Sequence, residues 1–483
     1  MRTFNYCLLF LFSLNSASAE TELFDLKAIR DSSTLEAKVI HDWKLSKKIP
    51  AIRQKLIEIT VCEWWQGQKV RLPVTLNAPA DGSPCKNVLV VNMGLAPKTA
   101  TPRGVELELL TKHGVGVVMI GMGTIDAMVP KGELHLGMRE QLLKTRDVRY
   151  TPAWIWGMSQ MRALTAAVAE AEVYQPVKVL GTGGSKRGVA AAVAGIHDDR
   201  FTAILPVVAP PLGNPGGTYV LGTEEERITK ANQQFFADLS SGKLGLDPSI
   251  KRALDERTQR RASSRITLEQ ARQSSWSDAD IASITDRAWD ASRVTDHLSM
   301  LRKRGTEIFY NLGTNDSVSP ALLDLGRQFP DFPINIVPGG QHGGPSTAGY
   351  TRRVPQLQTS QDNLRSFALH HFFGVRDWPS APEIDYLWDA GTHTLTVGVK
   401  FPEGIEPQSN ALWWSVDRSE PFTLPFEYDH WQSTEMKKTE SGMFRGKATL
   451  STKPARLDFI TVHTHTQDDL PVTFSSRYLR VGD

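Results

Sequence analysis

The stretch "KVLGTGGSKRGVAAA", residues 178–192, begins as an apolar run typical of a buried strand, passes through three glycines and continues as an alanine-rich segment typical of a helix. Three kinds of site use a glycine-rich turn between a strand and a helix. They are dinucleotide-binding loops, phosphate-binding loops and serine nucleophile elbows. The spacing of the glycines distinguishes these three sites.

Two of the three sites lack a residue that they require. A dinucleotide loop reads G-x-G-x-x-G and has an acidic residue about 20 positions later. Gly181 and Gly183 fit, but the third position is Lys186, and the acidic residue is missing near Phe201 and Thr202. A phosphate loop places glycine directly before Lys-Ser/Thr, whereas the order here is Gly-Ser-Lys. The stretch is therefore neither of these loops.

The nucleophile elbow, G-x-S-x-G, fits with one change. Gly183-Gly184-Ser185 matches its first half, and the second glycine, Gly188, stands three positions after the serine instead of two. The elbow holds its serine at strained backbone angles, so small residues must surround it. A helix-capping serine is the simpler alternative. The motif therefore makes Ser185 a candidate catalytic nucleophile.

Two later strands supply the partners that such a serine needs. "TEIFYNLG" (306–313) reads as a buried strand and is followed by Asp316, and "FPINIVPGG" (332–340) is followed by His342. The order Ser, Asp, His is the chain order of α/β-hydrolase triads, whose acid and histidine follow late strands at the carboxyl edge of the sheet. We therefore predict a Ser185–Asp316–His342 triad.

Other residues compete for these roles or complete the site. Asp324 is the alternative acid, but it falls within the helix after the loop, and His297 precedes the acid, which is the wrong order. His370 and His371 lie in an amphipathic helical stretch and are interpreted as packing or surface residues. The oxyanion would be held by the backbone N–H of Lys186 and by a second N–H in "NMGLAP", from Gly94 or Leu95. This chemistry needs neither a cofactor nor a metal.

The wider pattern predicts an α/β fold followed by a β domain. From residue 87, apolar strands alternate with helical stretches, which indicates a mostly parallel sheet of the α/β-hydrolase type within a domain spanning 20–375. Residues 217–300 are polar and helical and read as a cap inserted between two sheet strands. After a proline-containing linker, the period drops to two, and residues 384–483 predict a separate β-sandwich.

The N-terminus predicts export. Residues 1–19 carry a basic residue, a short apolar run and Ala17-Ser18-Ala19, which together form the pattern of a cleaved signal peptide. The alternative, a membrane anchor, would need about 20 apolar residues. We expect a periplasmic or secreted protein without a membrane span.

Charge and cysteine content limit which partners, disulfides and metals the sequence predicts. The net charge of +2 in a chain of 483 residues gives no reason to expect nucleic acid. Cys62 and Cys85 would remain in the exported chain, and a disulfide and two buried free thiols are both open. Because neither cysteine lies in a zinc-binding motif, a zinc site is not expected.

The chain resembles the PhoPQ-activated pathogenicity-related protein family. Gly183–Gly188 resembles the family's G-A-S-K-R-G with one change, and the resemblance extends over roughly residues 55–425. Four further stretches carry it: "WWQGQKVRLPVTLNAP", "MSQMRALTAAVAE", "DASRVTDHLSMLRKRGTEIFYNLGTND" and "ALWWSVDRSEPF". Val189-Ala190 and Asn315-Asp316-Ser317 depart from the family's pattern, so the resemblance implies the fold and not the substrate. The resemblance implies an exported, hydrolase-like protein.

Together, these features predict an esterase-like serine hydrolase acting on a small-molecule or peptide acyl substrate. A serine peptidase is not distinguished from an esterase, and a non-catalytic binding or signalling protein on the same fold is the competing class. Lys186 and Arg187 would either favour an acidic substrate or pair with carboxylates such as Asp198 or Asp199. Pairing is the interpretation that we prefer, because cations at a helix start oppose the helix dipole.

Overall fold

The computed structural model describes residues 23–93, 100–122, 133–213, 266–316, 321–340, 356–418 and 431–482. Within these residues, ten strands form one central sheet. They are β1 (Lys38–Leu45), β2 (Ile52–Trp65), β3 (Gln68–Pro79), β4 (Cys85–Met93), β5 (Gly116–Gly121), β6 (Tyr174–Gly184), β7 (Ala203–Val207), β8 (Glu307–Ile308), β9 (Tyr310–Gly313) and β10 (Ile334–Val337).

Helices stand between these strands. They are α1 (Leu26–Arg30), α2 (Gly104–His113), α3 (Glu133–Thr145), α4 (Pro152–Val168), α5 (Lys186–His197), α6 (Leu268–Gln273), α7 (Asp278–Asp290), α8 (Leu298–Arg304), α9 (Leu322–Gln328) and α10 (Gln356–Phe373). The C-terminal strands are β11 (Glu383–Asp389), β12 (Thr394–Lys400), β13 (Ser409–Val416), β14 (Gln432–Glu435), β15 (Lys437–Lys438), β16 (Phe444–Thr449), β17 (Leu457–Gln467), β18 (Leu470–Ser475) and β19 (Leu479–Arg480).

The strand order of the central sheet confirms the predicted fold class. The order is β1-β2-β3-β5-β4-β6-β7-β9-β10, with β8 beside β7. The pairings of β1, β2 and β3 are antiparallel, and those from β5 through β10 are parallel. Parallel neighbours joined by helical crossovers, with β5 lying between β3 and β4, form the α/β-hydrolase arrangement.

Both faces of the sheet are covered, which explains the unbroken apolar runs. On β4, Val88 and Val90 belong to the core shared with α4 and α5, while Leu89 and Val91 belong to the core shared with α2 and α10. Successive side chains of a strand point to opposite faces, so a strand buried on both sides must be apolar at nearly every position. The sheet is therefore a rigid middle layer whose strand ends hold the loops.

The helix before the elbow is almost wholly buried. α4 packs on the sheet and against α5, and a Cβ at Gly157 would overlap the side chain of Val193 on α5. Glycine at this position lets the two helices approach closely. The close packing fixes α5, and hence its first turn, relative to the sheet.

The N-terminal region contains a strand that the sequence pattern did not predict. β1 pairs with β2 at the edge of the sheet and is largely exposed on both faces. Because one buried face is what produces alternation between apolar and polar residues, β1 carries no such signal.

The described part of the insertion after β7 consists mainly of helices. Residues 214–265 lie outside the described residues, and 266–304 form α6, α7 and α8. Trp276 and Ile281 pack with Leu142 of α3, and the Trp276 indole N–H donates to the carbonyl of Leu143 at 2.9 Å. This part of the insertion is therefore anchored on α3.

The C-terminal strands form two antiparallel sheets that pack face to face. One sheet contains β11, β12, β16 and β15, and the other contains β14, β13, β17, β18 and β19. Their shared core includes Leu395 and Leu412. Phe474 of β18 also packs into the core under α10, and the Ser475 hydroxyl accepts a 2.9 Å hydrogen bond from Ile336 on β10. The C-terminal sheets thus cover the β10 edge of the central sheet.

The sequence left both a disulfide and two free thiols possible for the two cysteines, and the structure shows free thiols. Cys62 and Cys85 lie on β2 and β4, and burial raises their pKa values to about 12 and about 11. Thiols with such pKa values stay protonated at neutral pH and are poor nucleophiles.

Candidate active site

Ser185 stands between β6 and α5 in a strained conformation. Its backbone angles are φ 59° and ψ −130°, and its N–H donates to the carbonyl of Val207 on β7 at 2.9 Å. Positive φ at a residue other than glycine costs about 1–3 kcal/mol and persists only where its surroundings impose it. Within the described part of the chain, the side chain accepts no hydrogen bond from the first turn of α5, so Ser185 does not cap this helix as a capping serine does.

The two glycines of the motif are required by close contacts. A Cβ at Gly183 would lie 2.7 Å from the Cβ of Arg187, and a Cβ at Gly188 would lie 2.8 Å from the Cβ of Ala209 and 2.9 Å from the carbonyl oxygen of Gly183. Real Cβ atoms do not approach other atoms so closely. Gly188 therefore has the packing role of the second elbow glycine, although it stands one position later than the usual motif places it.

Lys186 is the first residue of α5. The first four N–H groups of a helix have no acceptor within the helix. The backbone N–H of Lys186 is one of these, which is compatible with the predicted oxyanion role. The other predicted donors, Gly94 and Leu95, lie outside the described residues, as does His342.

Asp198 and Asp199, which the sequence suggested as examples of carboxylate partners for Lys186 and Arg187, do not have that role. Asp198 forms ion pairs with Arg30 at 2.8 Å and with Arg200 at 2.6 Å, and Asp199 pairs with Arg30. The two aspartates follow the last residue of a helix of 12 residues. They therefore lie about 18 Å from its first turn.

Asp316 lies in a loop at the carboxyl end of β9 and is fully buried. Its N–H donates to the carbonyl of Gly313 at 3.3 Å, and the N–H of Asn315 donates to the carbonyl of Gly340 at 2.8 Å. The hydroxyl of Thr314 accepts from Gly339 at 2.8 Å. We refer to residues 314–316 as the acid loop. It is tied to the segment after β10 that leads to position 342.

The strand order brings the acid loop close to the elbow. β7 lies between β6 and β9, and the N–H of Val208, just after β7, donates to the carbonyl of Asn311 on β9 at 2.8 Å. Strands are spaced about 4.8 Å apart, so the chain ends after β6 and β9 are separated by about 10 Å. An imidazole placed between a hydroxyl and a carboxylate spans such a gap.

The rival residues lie elsewhere. Asp324 is on α9, where its side chain is 57% exposed and faces Arg327 at 3.8 Å. His297 contacts Asp290 at 3.3 Å beside the end of α7. His370 and His371 lie near the end of α10, each within 3.3 Å of Glu307 at the amino end of β8. The described rivals are therefore poor candidates for the predicted triad.

Two polar residues near the site were not found by sequence reasoning. Arg418 follows β13, is 3% exposed, and donates from Nη2 to the carbonyl of Thr314 at 3.1 Å and to Oδ1 of Asn315 at 2.7 Å. Asn92, the residue before the last one of β4, donates to Oε1 of the buried Gln160 at 2.6 Å. Asn92 and Arg418 lie in the quoted stretches "NMGLAP" and "ALWWSVDRSEPF", but neither pattern gives them a role, and only the fold brings Arg418 to the acid loop.

The described residues contain no group of three histidine, cysteine or acidic residues that is arranged to hold a metal ion. In the same part of the chain, every helix is too short or too polar to cross a bilayer.

Comparison with known proteins gives a loose likeness. No family model and no curated protein matches the sequence. The chain is similar to an acetyl xylan esterase from Paenibacillus sp. R4, with 16% identity, a TM-score of 0.38, and coverage of 66% of this chain and 87% of that one. It is also similar to a cold-adapted esterase from an Arctic intertidal metagenomic library, with 11% identity, a TM-score of 0.33 and coverage of 68% and 98%.

A third similar structure is a puromycin-hydrolyzing peptidase of Mycobacterium tuberculosis, with 16% identity, a TM-score of 0.33 and coverage of 63% of this chain and 38% of that one. Nothing about the substrate or the catalytic residues of this chain follows from likenesses at such identities and TM-scores. The fold assignment is based on the strand order.

Proposed function

We propose that this chain is an exported serine hydrolase that cleaves an acyl ester through Ser185, His342 and Asp316. The observation that carries the proposal is the backbone conformation of Ser185, φ 59° and ψ −130°, at a turn from a parallel strand into a helix. Such strain is characteristic of functional positions, and it is the geometry that a nucleophile elbow needs. The buried Asp316 at the end of β9 supports the same assignment.

The reaction follows from the roles of the three groups. The hydroxyl oxygen of Ser185 attacks the ester carbonyl while the imidazole of His342 takes its proton, and the carbonyl oxygen becomes an oxyanion. The N–H groups of Lys186 and of Gly94 or Leu95 stabilise that oxyanion. The imidazolium then protonates the departing alcohol. A water molecule, deprotonated by His342, next attacks the acyl-serine, which releases the acid and restores the Ser185 hydroxyl. Asp316 fixes the imidazole tautomer and stabilises the imidazolium.

Export and family membership are part of the proposal. Residues 1–19 have the composition of a cleaved signal peptide, and Gly183–Gly188 resembles the elbow of the PhoPQ-activated pathogenicity-related family. N-terminal sequencing of the protein recovered outside the cytoplasm should begin at Glu20. A protein that retains residue 1 would contradict the export proposal and leave the hydrolase proposal standing.

A fluorophosphonate probe tests the hydrolase. The mature wild type should be labelled and Ser185→Ala should not, and hydrolysis of an acyl ester panel should fall about 10⁶-fold in the variant. A peptide panel assayed alongside distinguishes an esterase from a serine peptidase. A wild-type protein that folds but resists the probe and cleaves neither panel would favour the non-catalytic binding or signalling protein.

A further inference from the structure

Arg418 links the C-terminal sheets to the acid loop. The chain leaves β13 at Asp417, which has φ 50°, and the following arginine is 3% exposed. Its Nη2 donates to the carbonyl of Thr314 at 3.1 Å and to Oδ1 of Asn315 at 2.7 Å. One guanidinium nitrogen therefore binds two consecutive residues immediately before Asp316.

The other end of the guanidinium is fixed within the C-terminal sheets. Nη1 donates to the hydroxyl of Tyr478 at 2.9 Å, and that hydroxyl is itself hydrogen-bonded to Asp458. The carboxylate of Asp458 is fully buried and accepts from Arg480 at 2.7 Å. The guanidinium also lies over the ring of Trp431, 5.0 Å from its centroid. A planar group with donors in fixed directions, held on one side by an aromatic ring, has little freedom to move.

The acid loop is thus held from two directions. Gly339 and Gly340, after β10, bind its inner side, and Arg418 binds Thr314 and Asn315 from the C-terminal sheets. A carboxylate that orients an imidazole must be placed to within about 0.5 Å, and a loop reaches such precision only through supporting contacts.

We propose that Arg418 is a positioning residue that sets the orientation of the Asp316 carboxylate, so that the C-terminal sheets form a working part of the catalytic apparatus. This inference rests on the proposed Ser185–His342–Asp316 function. Without the arginine, the loop loses its outer contacts, the carboxylate stabilises the imidazolium less well, and the imidazole loses its proton at lower pH.

The test compares Arg418→Met and Arg418→Lys with the wild-type full-length chain in ester hydrolysis across pH. We expect kcat of Arg418→Met to fall about 10- to 100-fold with KM changed less than about threefold, as is typical when a supporting contact is lost. The acid limb of the kcat/KM profile should move to lower pH. Arg418→Lys keeps a donor and should lose less.

Arg376→Met is the matched control. Arg376 is also 3% exposed, lies over a tryptophan ring and donates to backbone carbonyls, among them that of Asp377 at 3.0 Å. It contacts the other end of β18 through Leu470. Its loss should lower the unfolding temperature and leave kcat and the acid limb unchanged. If Arg376→Met moves the limb as much as Arg418→Met does, the effect is general destabilisation and the inference is overturned.

Failure of the inference is distinguishable from failure of the proposed function. If the fluorophosphonate probe does not label the wild type, both the proposed function and the role of Arg418 are contradicted. If the probe labels the wild type and Asp316→Asn inactivates it, the proposed function stands. An unchanged acid limb of the kcat/KM profile in the Arg418 variants would then contradict only the role of Arg418. If Arg418→Met does not fold, Arg418→Lys and Asn315→Ala decide, since Asn315→Ala deletes the side-chain acceptor and keeps the arginine. If the acid limb of the kcat/KM profile is unchanged in both of these variants, the inference is overturned.

Discussion

The two edges of the central sheet both carry a hydroxyl and a carboxylate, but in different backbone settings. At the carboxyl edge, Ser185 follows β6 and Asp316 follows β9. At the amino edge, Thr202 precedes β7, and its Oγ1 lies 2.8 Å from Nε2 of His371, whose Nδ1 lies 3.2 Å from Oε2 of Glu307. By distances alone, the amino edge holds a hydroxyl, an imidazole and a carboxylate in contact.

The hydroxyl at the amino edge is committed to the backbone. Thr202 Oγ1 accepts from the N–H of Val179 at 2.9 Å and donates to the carbonyl of Val179 at 3.1 Å. This hydroxyl therefore joins β6 to the residue before β7, and its contact with Nε2 of His371 is an addition to these two backbone hydrogen bonds. A cavity of about 440 Å³ adjoins Thr202, with mostly apolar residues such as Leu164 and Val179 lining it.

The contrast shows that side-chain distance alone does not identify a candidate nucleophile, and that the backbone setting of the hydroxyl must be considered with it. Ser185 has φ 59°, whereas Thr202 is not among the residues with positive φ in the described chain. A strained serine persists only where its surroundings impose the conformation, while a hydroxyl that joins two strands needs no strain.

Replacing the carboxylate at each edge should give the largest difference in activity between the residues of the carboxyl edge and those of the amino edge. Asp316→Asn should lower kcat about 10⁴-fold, because an amide no longer selects the imidazole tautomer or stabilises the imidazolium. Glu307→Gln should leave kcat within about twofold. Steady-state ester hydrolysis measures both. Comparable losses in the two variants would contradict the assignment of catalysis to the carboxyl edge.

The glycines of the elbow should differ in their tolerance of a methyl group. Gly188→Ala should lower the free energy of unfolding by about 2–3 kcal/mol, because the new Cβ meets Ala209 and two carbonyl oxygens. At Gly184 the nearest contact would be Val208 at 4.0 Å, so Gly184→Ala should be nearly neutral. Urea denaturation of both variants provides the measurement. Equal costs would show that Gly188 is not the packing glycine of the elbow.

Thr202→Val should affect stability without affecting chemistry. The N–H of Val179 loses the hydroxyl acceptor, which costs about 2 kcal/mol, while hydrolysis and probe labelling stay at wild-type levels. Thermal unfolding and the ester assay together test this. Loss of labelling in this variant would move the reactive hydroxyl to the amino edge.

The ion pairs of the amino edge should give a pH-dependent stability. Burial opposes ionisation of Glu307, but the contacts with His370 and His371 outweigh it and lower its pKa to about 2. Contact with Glu307 raises the pKa of His370 above its usual 6.5. The Glu307 contribution is lost as pH falls from about 4.5 towards 2, and the His370 contribution is lost as pH rises through the raised pKa.

Glu307→Gln should therefore destabilise most between these limits, near pH 5.5, and by about 1 kcal/mol because the carboxylate is partly exposed. Unfolding temperatures of the wild type and the variant, recorded from pH 3 to 9, should differ most there and differ less towards both ends. A difference that is constant across this range would rule out titration of the pair as its cause.

Much of the fold was predictable because it depends on local pattern. The alternation of strands and helical stretches predicted from residue 87 is observed in β4 to β7 with α2, α4 and α5, and the period of two predicted for residues 384–483 is observed in β12, β13, β16 and β17. The predicted strand 306–313 is two short strands interrupted at Phe309, and β11, β14 and β15 were not predicted. Short or exposed edge strands lack the one-sided burial that produces a periodic signal.

The candidate site was only partly predictable. The elbow was found because its glycines and serine are consecutive, whereas Arg418 lies about a hundred residues from the loop that it binds and follows an ordinary strand. Asp198 and Asp199, the carboxylates named as possible partners of Lys186, lie at the far end of α5 and pair with other arginines, which the sequence pattern did not indicate.

The sequence by itself determined the elements of the sheet, the turn at Ser185 and the chain order of the predicted triad, since propensities, periodicity and glycine spacing act over a few residues. Only the tertiary structure decided that Ser185 is strained, that the acid loop is fastened to the end of β10 and to Arg418, and that Thr202 is a structural hydroxyl. These features depend on contacts between segments far apart in the chain, and such contacts exist only once the strands have taken their places in the sheet.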